Sequence, residues 1–235
     1  MGISRGKKIV TDGLVFYIDA ANPKSYVSGS VLCNNMFDEL QGTLTNGVSV
    51  DSSITPSFQF DGVNDYIDMD DFSFSGTEVT INVWNFGEVT DKQQTLFEVV
   101  GANHGSKRCI VLIIPWSDSK VYFDAGDATV GHTSGYDRIS KTATDAECNG
   151  WHHWVFTKNT STGNQRIYHD SVLWHSGSSN TVALLSNDRT SLGKFSAGGV
   201  GYYQQGKASQ LMIYNKELTA SEVLQNYNAL KDRFI

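Results

Sequence analysis

Four histidines, His152, His153, His169 and His175, crowd one stretch of the chain. Imidazole nitrogens are common ligands of transition metals, so this stretch is where a metal ion could be held. Adjacent residues of a strand point to opposite faces, however, so His152 and His153 cannot bind one ion together. We therefore interpret these histidines as structural side chains packed beside tryptophans, and we predict no metal site here.

Carboxylates that could perform acid–base chemistry are scattered along the chain. Glycoside cleavage needs two carboxyl groups facing each other across a groove, whereas Glu78, Glu88 and Glu98 stand alone. The aspartates at positions 68, 70 and 71 are better explained as loop caps than as a catalytic pair. The sequence also lacks nucleophile-elbow, zinc-protease and phosphate-loop motifs. We predict that the protein has no catalytic residues and is not an enzyme.

Aromatic side chains in polar loops are the candidates for a ligand site. Trp116, Tyr136, Tyr202 and Tyr203 are all predicted to lie in loops. Sugar sites place exposed rings beside amide or carboxylate groups on a concave surface. These four residues therefore predict a glycan-binding site, although the same rings could equally pack on the domain or on a neighbouring subunit.

The charge balance limits the class of partner. The chain has 18 lysines and arginines against 25 aspartates and glutamates, a net charge of −7. This acidic balance excludes nucleic acid, whose binding needs clustered basic residues. Residues 1–10 are the exception, because they carry Arg5, Lys7 and Lys8. We predict that this basic arm is either a solvated tail or docks on an acidic neighbour.

Neither a membrane span nor an export signal is recognisable. No run approaches the roughly 18 unbroken apolar residues of a spanning helix, and the N-terminal residues lack the apolar centre of a signal peptide. Cys33, Cys109 and Cys148 are odd in number and far apart, which is typical of thiols in a reducing compartment. We expect a protein made in the cytoplasm without membrane insertion.

The elements that must position these residues are predicted to be β-strands. The run Trp151–Lys158 is apolar on both faces, so it must lie inside a layered β structure. A polar cluster joins it to a second run, and a tight turn at Asp170 and Ser171 leads to a third. Alternating or short apolar runs predict the remaining strands. The predicted strands are Leu14–Ile18, Thr43–Thr45 (an edge strand), a hairpin over Ser57–Met69, Val79–Phe86, Thr95–Val100, Arg108–Ile114, Lys120–Asp124, one weak strand between 124 and 149, Trp151–Lys158, Gln165–His169, Val172–His175, Thr181–Leu185, Arg189–Leu192 and Lys207–Tyr214.

One helix is predicted, over residues 220–233. Thr219 followed three residues later by Glu222 is a capping box, which marks a helix start. Apolar residues then recur at three- and four-residue spacing, which predicts a stripe packed against the strands. The stripe consists of Val223, Leu224, Tyr227, Leu230 and Phe234.

Four stretches together resemble the laminin-G-like branch of the concanavalin A-like lectin/glucanase superfamily: Phe58–Met69, Val79–Trp84, Gly150–Val172 and Gly206–Phe234. The resemblance extends back to Asp12–Tyr26 and so covers nearly the whole chain. It implies an all-β jelly-roll sandwich of two antiparallel sheets of five to seven strands, with the C-terminal α-helix packed on it. No repeat or linker interrupts residues 11–235, which we predict to form a single domain after the basic arm.

The resemblance also bears on calcium and on one turn. Laminin-G-like domains often hold calcium at a loop rim, which makes Asp61, Asn64 and Asp65 candidate oxygen ligands; the pair Asp61-Gly62 equally suits a plain turn. No other cofactor is predicted.

The turn at Asp170 and Ser171 is usually Asn-Gly in such proteins. Because Asp and Ser adopt positive φ less easily than Asn and Gly, we expect more than two residues in this turn.

The opening block and the segment 214–219 resemble versions of this domain in structural proteins of tailed bacteriophages. This likeness implies a non-catalytic virion protein, made in the host cytoplasm, that acts as a capsid decoration (cement) or tail-associated subunit. It would hold other virion proteins or copies of itself through protein–protein contacts. The alternative is a glycan-binding, lectin-like adhesin module of a receptor-binding fibre. A glycoside hydrolase is the least favoured function.

Overall fold

The computed structural model describes residues 8–52, 54–70, 76–87, 92–101, 108–126, 135–184, 187–195 and 201–235. Strands dominate these residues because short apolar and alternating runs are separated by turn residues. The strands are β1 (Leu14–Asp19), β2 (Leu32–Asn34), β3 (Gln41–Thr45), β4 (Ser49–Asp51), β5 (Ser57–Asp61), β6 (Tyr66–Met69), β7 (Glu78–Gly87), β8 (Phe97–Gly101), β9 (Arg108–Ile113), β10 (Lys120–Ala125), β11 (Asp137–Thr142), β12 (Gly150–Asn159), β13 (Asn164–His169), β14 (Val172–Gly177), β15 (Asn187–Leu192), β16 (Lys194–Phe195), β17 (Tyr202–Tyr203) and β18 (Gln205–Tyr214).

Two helices complete the described secondary structure. Helix α1 is one turn, Asp145–Cys148, within the long polar excursion. Helix α2 spans Ala220–Leu230 and continues as a 3₁₀ turn over Lys231–Arg233. The predicted helix 220–233 is therefore confirmed, with its last turn tightened.

The strands form two antiparallel eight-stranded sheets in a jelly-roll arrangement. The first sheet has the order β14-β13-β12-β7-β18-β5-β4, and β1 pairs with the end of β18. The second sheet has the order β11-β10-β9-β8-β15-β6-β3-β2. A separate pair, β16 and β17, follows β15. Each sheet has one strand more than the upper limit that the resemblance implied.

The main core lies between the two sheets, where strand alternation directs one apolar face of each sheet inward. Phe16, Phe58 and Trp154 from the first sheet and Phe97 and Phe123 from the second are completely buried in it. β12 lies between β7 and β13 and is buried from His153 to Asn159. The prediction that this run sits inside a layered structure is confirmed.

Helix α2 packs on the outer face of the first sheet. Met212 and Tyr214, which alternate with core residues along β18, form a second buried cluster with Leu218 and Val223. The predicted stripe is wrong at one position, since Leu224 is 46% exposed. Asn226 is buried instead, because this position of the helix faces polar groups of the sheet.

The predicted hairpin over 57–69 is wrong. β5 pairs with β4 and β18 in the first sheet, whereas β6 pairs with β3 and β15 in the second. The turn at Asp61 and Gly62 therefore carries the chain from one sheet to the other. Alternation marks both runs as strands but contains no information about the sheet that each one joins.

Two smaller strand predictions also fail. Residues 181–184 form no strand, and Leu185 lies outside the described residues. β3 is not an edge strand, because β2 pairs with its outer side. The short run Leu32–Asn34 contains too few residues for a recognisable period.

The turn between β13 and β14 contains two residues, contrary to the expectation of a longer one. His169 pairs directly with Val172, and Asp170 and Ser171 both have positive φ, 47° and 71°. This is the geometry of a type I′ turn. Asp170 tolerates it because its carboxylate accepts a hydrogen bond from the backbone N–H of His153 at 2.9 Å.

Among the described residues, no helix combines the length and the apolar composition that crossing a lipid bilayer requires.

Candidate functional site

The two sheets differ in what covers their outer faces. Helix α2 covers the first sheet, as described above. On the second sheet, Val111 and Ile113 of β9 alternate with core residues and therefore point outward. They are buried beneath Phe195 of β16 and a group of half-buried aromatic rings rather than beneath a helix. This outer face is where candidate ligand residues meet.

We call the surface formed by Trp116, Tyr122, Tyr136, Arg138 and Tyr202 the aromatic patch. The rings of Trp116 and Tyr202 meet edge to face with centroids 5.0 Å apart. The guanidinium of Arg138 lies 4.8 Å from the ring centroid of Tyr122 and 5.2 Å from that of Tyr136. Trp116, Tyr122 and Tyr202 share one apolar cluster.

Arg138 is held in place by a buried carboxylate. Its Nε and Nη2 donate to the two oxygens of Asp124 at 2.6 and 2.7 Å. Asp124 is completely buried, whereas the Arg138 side chain is 40% exposed. The hydrogen bonds to Asp124 raise the pKa of Arg138. A planar guanidinium fixed in this way can present its remaining N–H donors to a ligand.

A second carboxylate, that of Asp118, orients Tyr122. The Tyr122 hydroxyl donates to Asp118 at 2.6 Å, and Lys120 Nζ lies 3.3 Å from the same carboxylate. Burial and the hydrogen bond to Asp118 raise the pKa of Tyr122 to about 12. The patch therefore combines apolar ring faces with oriented charged and hydroxyl groups, which is the composition of a sugar-binding surface.

Of the four predicted aromatic residues, the structure brings three to this surface. Trp116, Tyr136 and Tyr202 belong to the patch, whereas Tyr203 lies elsewhere, 6.5 Å from the ring of Tyr66. Consecutive residues of β17 point in opposite directions, which separates Tyr202 from Tyr203. Sequence reasoning missed Tyr122 and Arg138. Their outward positions on β10 and β11 become visible only when the register of the second sheet is known.

Carboxylates do align across this face. One row of paired residues crosses six neighbouring strands of the second sheet. Its members, in order, are Asp68, Ser191, Glu98, Val111, Asp124 and Arg138. Glu98 and Asp124 are separated by one intervening strand, which places their backbones about 10 Å apart. Both are completely buried, and Asp124 is bound by Arg138. Carboxylates in these positions cannot touch a polysaccharide chain.

A shallow depression of about 260 Å³ lies at the beginning of β18, lined by Gln59, Phe60, Asp61, Phe86, Gln205, Gly206 and Lys207. Lys207 Nζ lies 3.5 Å from Asp51 and 5.6 Å from the ring centroid of Phe86. The depression combines amides, a carboxylate and one ring, so it is a second surface of suitable chemistry. It contains none of the four predicted aromatic residues.

Of the calcium candidates, Asp61 lines this depression, and Asn64 and Asp65 follow it in the same turn. Asp61 Oδ1 accepts hydrogen bonds from the backbone N–H groups of Val63 and Asn64, and these bonds lower the pKa of Asp61. Asp65 Oδ2 accepts from the backbone N–H of Asp61, and burial raises the pKa of Asp65. Asn64 uses its carbonyl oxygen to accept from Asn46. Asp61 thus caps its own turn, and calcium binding at these residues stays a prediction.

The histidines divide between two environments, as strand alternation predicted. His153 is completely buried beside Trp84, with ring centroids 5.2 Å apart, and its Nε2 bonds Asn82 Oδ1 at 3.1 Å. Burial lowers the pKa of His153 to about 3. His153 is therefore a structural side chain next to a tryptophan, as interpreted from the sequence.

His152 points to the other face and meets His169 and Asp170. His152 Nδ1 lies 2.8 Å from Asp170 Oδ2, and His169 Nε2 lies 3.7 Å from the same oxygen. Among the described residues, this is the one group of three histidine, cysteine or carboxylate side chains that could hold a metal ion together. Their ligand atoms all lie within 4.8 Å of each other. The sequence analysis missed it because the pairing of Trp154 with His169, which brings His169 and Asp170 beside His152, depends on the register between β12 and β13.

The basic arm is described only from Lys8 onward; Arg5 and Lys7 lie outside the described residues. The carbonyl oxygen of Lys8 accepts a hydrogen bond from Gln225 Nε2 at 3.0 Å, and the N–H of Val10 donates to Asn226 Oδ1 at 2.8 Å. The base of the arm is therefore docked on helix α2 of its own chain. The partner of the arm stays a prediction.

The protein is a β-sandwich of the jelly-roll class. A helix covers one sheet and an aromatic surface lies on the other. A family model described as "Concanavalin A-like lectin/glucanases superfamily" matches residues 61–224. The chain belongs to this superfamily, which confirms the family resemblance. A search of curated proteins gives no significant match.

Solved structures with this fold include binding domains of toxins and a sialidase. Botulinum neurotoxin type C, in a study of cell entry dependent on two ganglioside molecules, aligns with a TM-score of 0.69 at 11% identity over 93% of this chain and 51% of that chain. The serotype D ligand-binding domain, in complex with N-acetylneuraminic acid, gives 0.68 at 12% identity over 92% and 50%. Trypanosoma rangeli sialidase, in complex with the inhibitor DANA, gives 0.69 at 12% identity over 97% and 34%. This chain spans about half or less of each, and at such identities the likeness concerns the fold alone.

Proposed function

We propose that this protein is a non-catalytic, lectin-like module that binds carbohydrate through the aromatic patch. The main support for the proposal is that Trp116, Tyr202 and Arg138 lie on one outer face. Asp124 orients the guanidinium of Arg138 through two hydrogen bonds. Ring faces stack on the C–H faces of sugars, and the oriented guanidinium supplies donors to hydroxyl or carboxylate groups. The toxins with the same fold support the same class of ligand, because cell entry of one depends on ganglioside and the binding domain of another forms a complex with N-acetylneuraminic acid.

The absence of catalysis is part of this proposal. Glu98 and Asp124 are completely buried and Asp124 is paired with Arg138, so neither is placed to protonate a glycosidic oxygen. A hydrolase would need an accessible acid and a facing carboxylate. We therefore expect bound glycan to be recovered intact after prolonged incubation with the protein.

The test is a glycan array with neutral and sialylated glycans, followed by titration calorimetry on the glycan that binds best. Trp116→Ala and Tyr202→Ala should each weaken binding about tenfold or more, because each removes a stacking face. Tyr203→Ala is the matched control, since it removes the neighbouring ring of the same strand, which lies outside the patch, and should leave affinity unchanged. All variants are compared by Tm to confirm folding.

Three results would contradict this assignment. Binding that survives both patch substitutions would place the glycan elsewhere. Binding that is lost in Phe86→Ala but kept in Tyr202→Ala would assign it to the depression beside β18. An array without any bound glycan would remove the proposed function altogether.

The second candidate function is the virion structural role, acting through protein–protein contacts. Its structural support is an exposed apolar segment around the edge strand β2, where Val27, Val31 and Phe37 are 61%, 65% and 53% exposed. Exposed apolar side chains beside a sheet edge are typical of protein contact surfaces. The virion setting, with capsid or tail neighbours or further copies of this chain as partners, would be tested by electron microscopy of virions with and without the protein.

A further inference from the structure

We propose that His152, His169 and Asp170 bind one zinc ion at the closed end of the β13–β14 hairpin, beside the start of β12. This site is independent of the proposed glycan-binding patch, which lies on the other sheet. Two imidazoles and one carboxylate are a common ligand set for zinc, and imidazole ligands favour zinc over calcium or magnesium. The ligands come from a strand, a strand end and a two-residue turn, so their separation is set by the backbone.

The distances are close to those of a tetrahedral site. Zinc bonds of 2.0–2.1 Å place neighbouring ligand atoms about 3.3 Å apart. Here His152 Nδ1 and His169 Nε2 lie 2.8 and 3.7 Å from Asp170 Oδ2, and all three atoms lie within 4.8 Å of one another. Small side-chain rotations are therefore enough to bring them around one ion, without movement of the strands.

The surroundings orient each ligand from outside the cluster. The second oxygen of Asp170 accepts from the backbone N–H of His153 at 2.9 Å, which leaves Oδ2 for the metal. The ring of His169 packs against Trp154 with centroids 4.4 Å apart. The backbone carbonyls of Asn149 and Ala146 lie near the ring of His152 and can accept from its second nitrogen. Such outer partners are what metal-binding histidines require.

A fourth ligand has room to bind. His152, His169 and Asp170 have side chains that are 16%, 14% and 31% exposed, so water can reach the cluster. His169 Nε2 donates to the carbonyl oxygen of Glu147 at 3.0 Å, and zinc binding at this nitrogen replaces the donated proton. Either a water molecule or this carbonyl oxygen can complete four-coordination. If the carbonyl oxygen of Glu147 is the fourth ligand, the ion would also connect helix α1 to the β13–β14 hairpin.

The first measurement is binding of ZnCl₂ to chelator-stripped protein by titration calorimetry, with CoCl₂ as a spectroscopic substitute. We expect one zinc ion per chain, and visible absorption bands of tetrahedral cobalt. A zinc excess of about 100 Kd should raise the Tm by roughly 5–10 °C, because a ligand that binds only the folded state stabilises it.

The variants identify the ligands. His152→Ala and Asp170→Asn should each weaken zinc binding about tenfold or more and abolish the cobalt bands. Asp170→Asn keeps the side-chain shape, so it distinguishes a lost ligand charge from a misfolded turn. His175→Ala is the matched control, because His175 belongs to the neighbouring strand but not to the cluster, and zinc affinity should be retained.

The proposal is overturned if stripped wild-type protein binds no zinc and gives no tetrahedral cobalt spectrum. It is equally overturned if the His152→Ala and Asp170→Asn variants bind zinc as the wild type does, or if His175→Ala loses binding to the same extent. Should His152→Ala fold poorly, the Asp170→Asn result decides, since that side chain can keep its hydrogen bond to the His153 backbone.

Discussion

Lys158 is a charged residue that lies inside the sandwich, completely buried. Its ammonium group donates to the carbonyl oxygen of Ala125 at 2.8 Å and to Asp137 at 2.7 Å. Lys158 belongs to β12 of the first sheet and its partners to β10 and β11 of the second, so the side chain joins the two sheets. Burial lowers the pKa of Lys158, and Asp137 opposes that effect.

The substitution Asp137→Asn should destabilise the protein by about 3 kcal/mol, because it leaves a buried ammonium group without its counter-charge. The measurement is urea-induced unfolding of wild type and variant. Asp12→Asn is the control: Asp12 also pairs with a lysine, Lys216, but is 81% exposed, so it should cost less than about 1 kcal/mol. Equal costs at the two sites would show that burial does not decide the effect.

At the scale of elements, Thr219 is the N-cap of helix α2, and its capping box satisfies the first backbone N–H groups of the helix. Thr219 Oγ1 accepts from the N–H of Glu222 at 3.3 Å, and Glu222 accepts from the N–H of Thr219 at 2.8 Å. Lys216 Nζ also donates to Glu222 at 2.7 Å. Burial by itself raises the pKa of Glu222, but the hydrogen bonds from Lys216 and Thr219 outweigh it, so the pKa is lowered.

A lowered carboxyl pKa predicts a loss of stability in acid. The ionised Glu222 stabilises the fold fully above its unfolded pKa of 4.5, and this contribution disappears as the pH falls through the lower folded pKa. Glu222→Gln keeps a capping-box side chain but removes the charge. The variant should therefore be less stable at pH 7, by about 0.5–1 kcal/mol, and should lose less stability than wild type between pH 5 and pH 3.

Denaturant midpoints at pH 7, 5, 4 and 3 for both proteins would measure this difference. Asp232→Asn, at an exposed acidic position beyond the other end of the helix, is the comparison. A stability difference between Glu222→Gln and wild type that does not change with pH would show that the charge of Glu222 has no role.

At the scale of the whole molecule, Asn226 connects the N-terminal segment, the first sheet and helix α2. Its Oδ1 accepts from the N–H of Val10 at 2.8 Å, and its Nδ2 donates to Asn82 at 3.2 Å and to the hydroxyl of Tyr214 at 3.0 Å. All of these groups are buried. The network explains why an amide occupies a helix position that faces the sheet.

Asn226→Leu should therefore cost about 3 kcal/mol, because it leaves the buried N–H of Val10 without an acceptor and disrupts the remaining contacts. In the variant, amide hydrogen exchange at Val10 should accelerate relative to wild type by a larger factor than exchange at the centre of β7. Asn228→Leu, two residues along the same helix and only half-buried, is the control and should have a small effect. An unchanged Tm in Asn226→Leu would show that the network does not anchor the N-terminal segment.

The candidate site was only partly predictable from the sequence. Trp116, Tyr136 and Tyr202 could be named because aromatic residues in polar stretches are unusual wherever they occur, although Tyr202 lies in the short strand β17 and not in the predicted loop. Arg138 could not, because its importance comes from Asp124 on the neighbouring strand. The histidine cluster was missed for a related reason: the face on which His169 lies is set by the register between β12 and β13, and a shift of one residue would place it on the other face.

The sequence by itself determined the class of fold, most of the strands and the start of helix α2 at Thr219. These features depend on alternation, turn residues and capping, which act over a few neighbouring residues. Only the tertiary structure decided that β5 and β6 join different sheets, that Trp116 meets Tyr202, and that His152 meets Asp170. Strand pairing and register set those contacts, and they depend on the packing of segments that are distant along the chain.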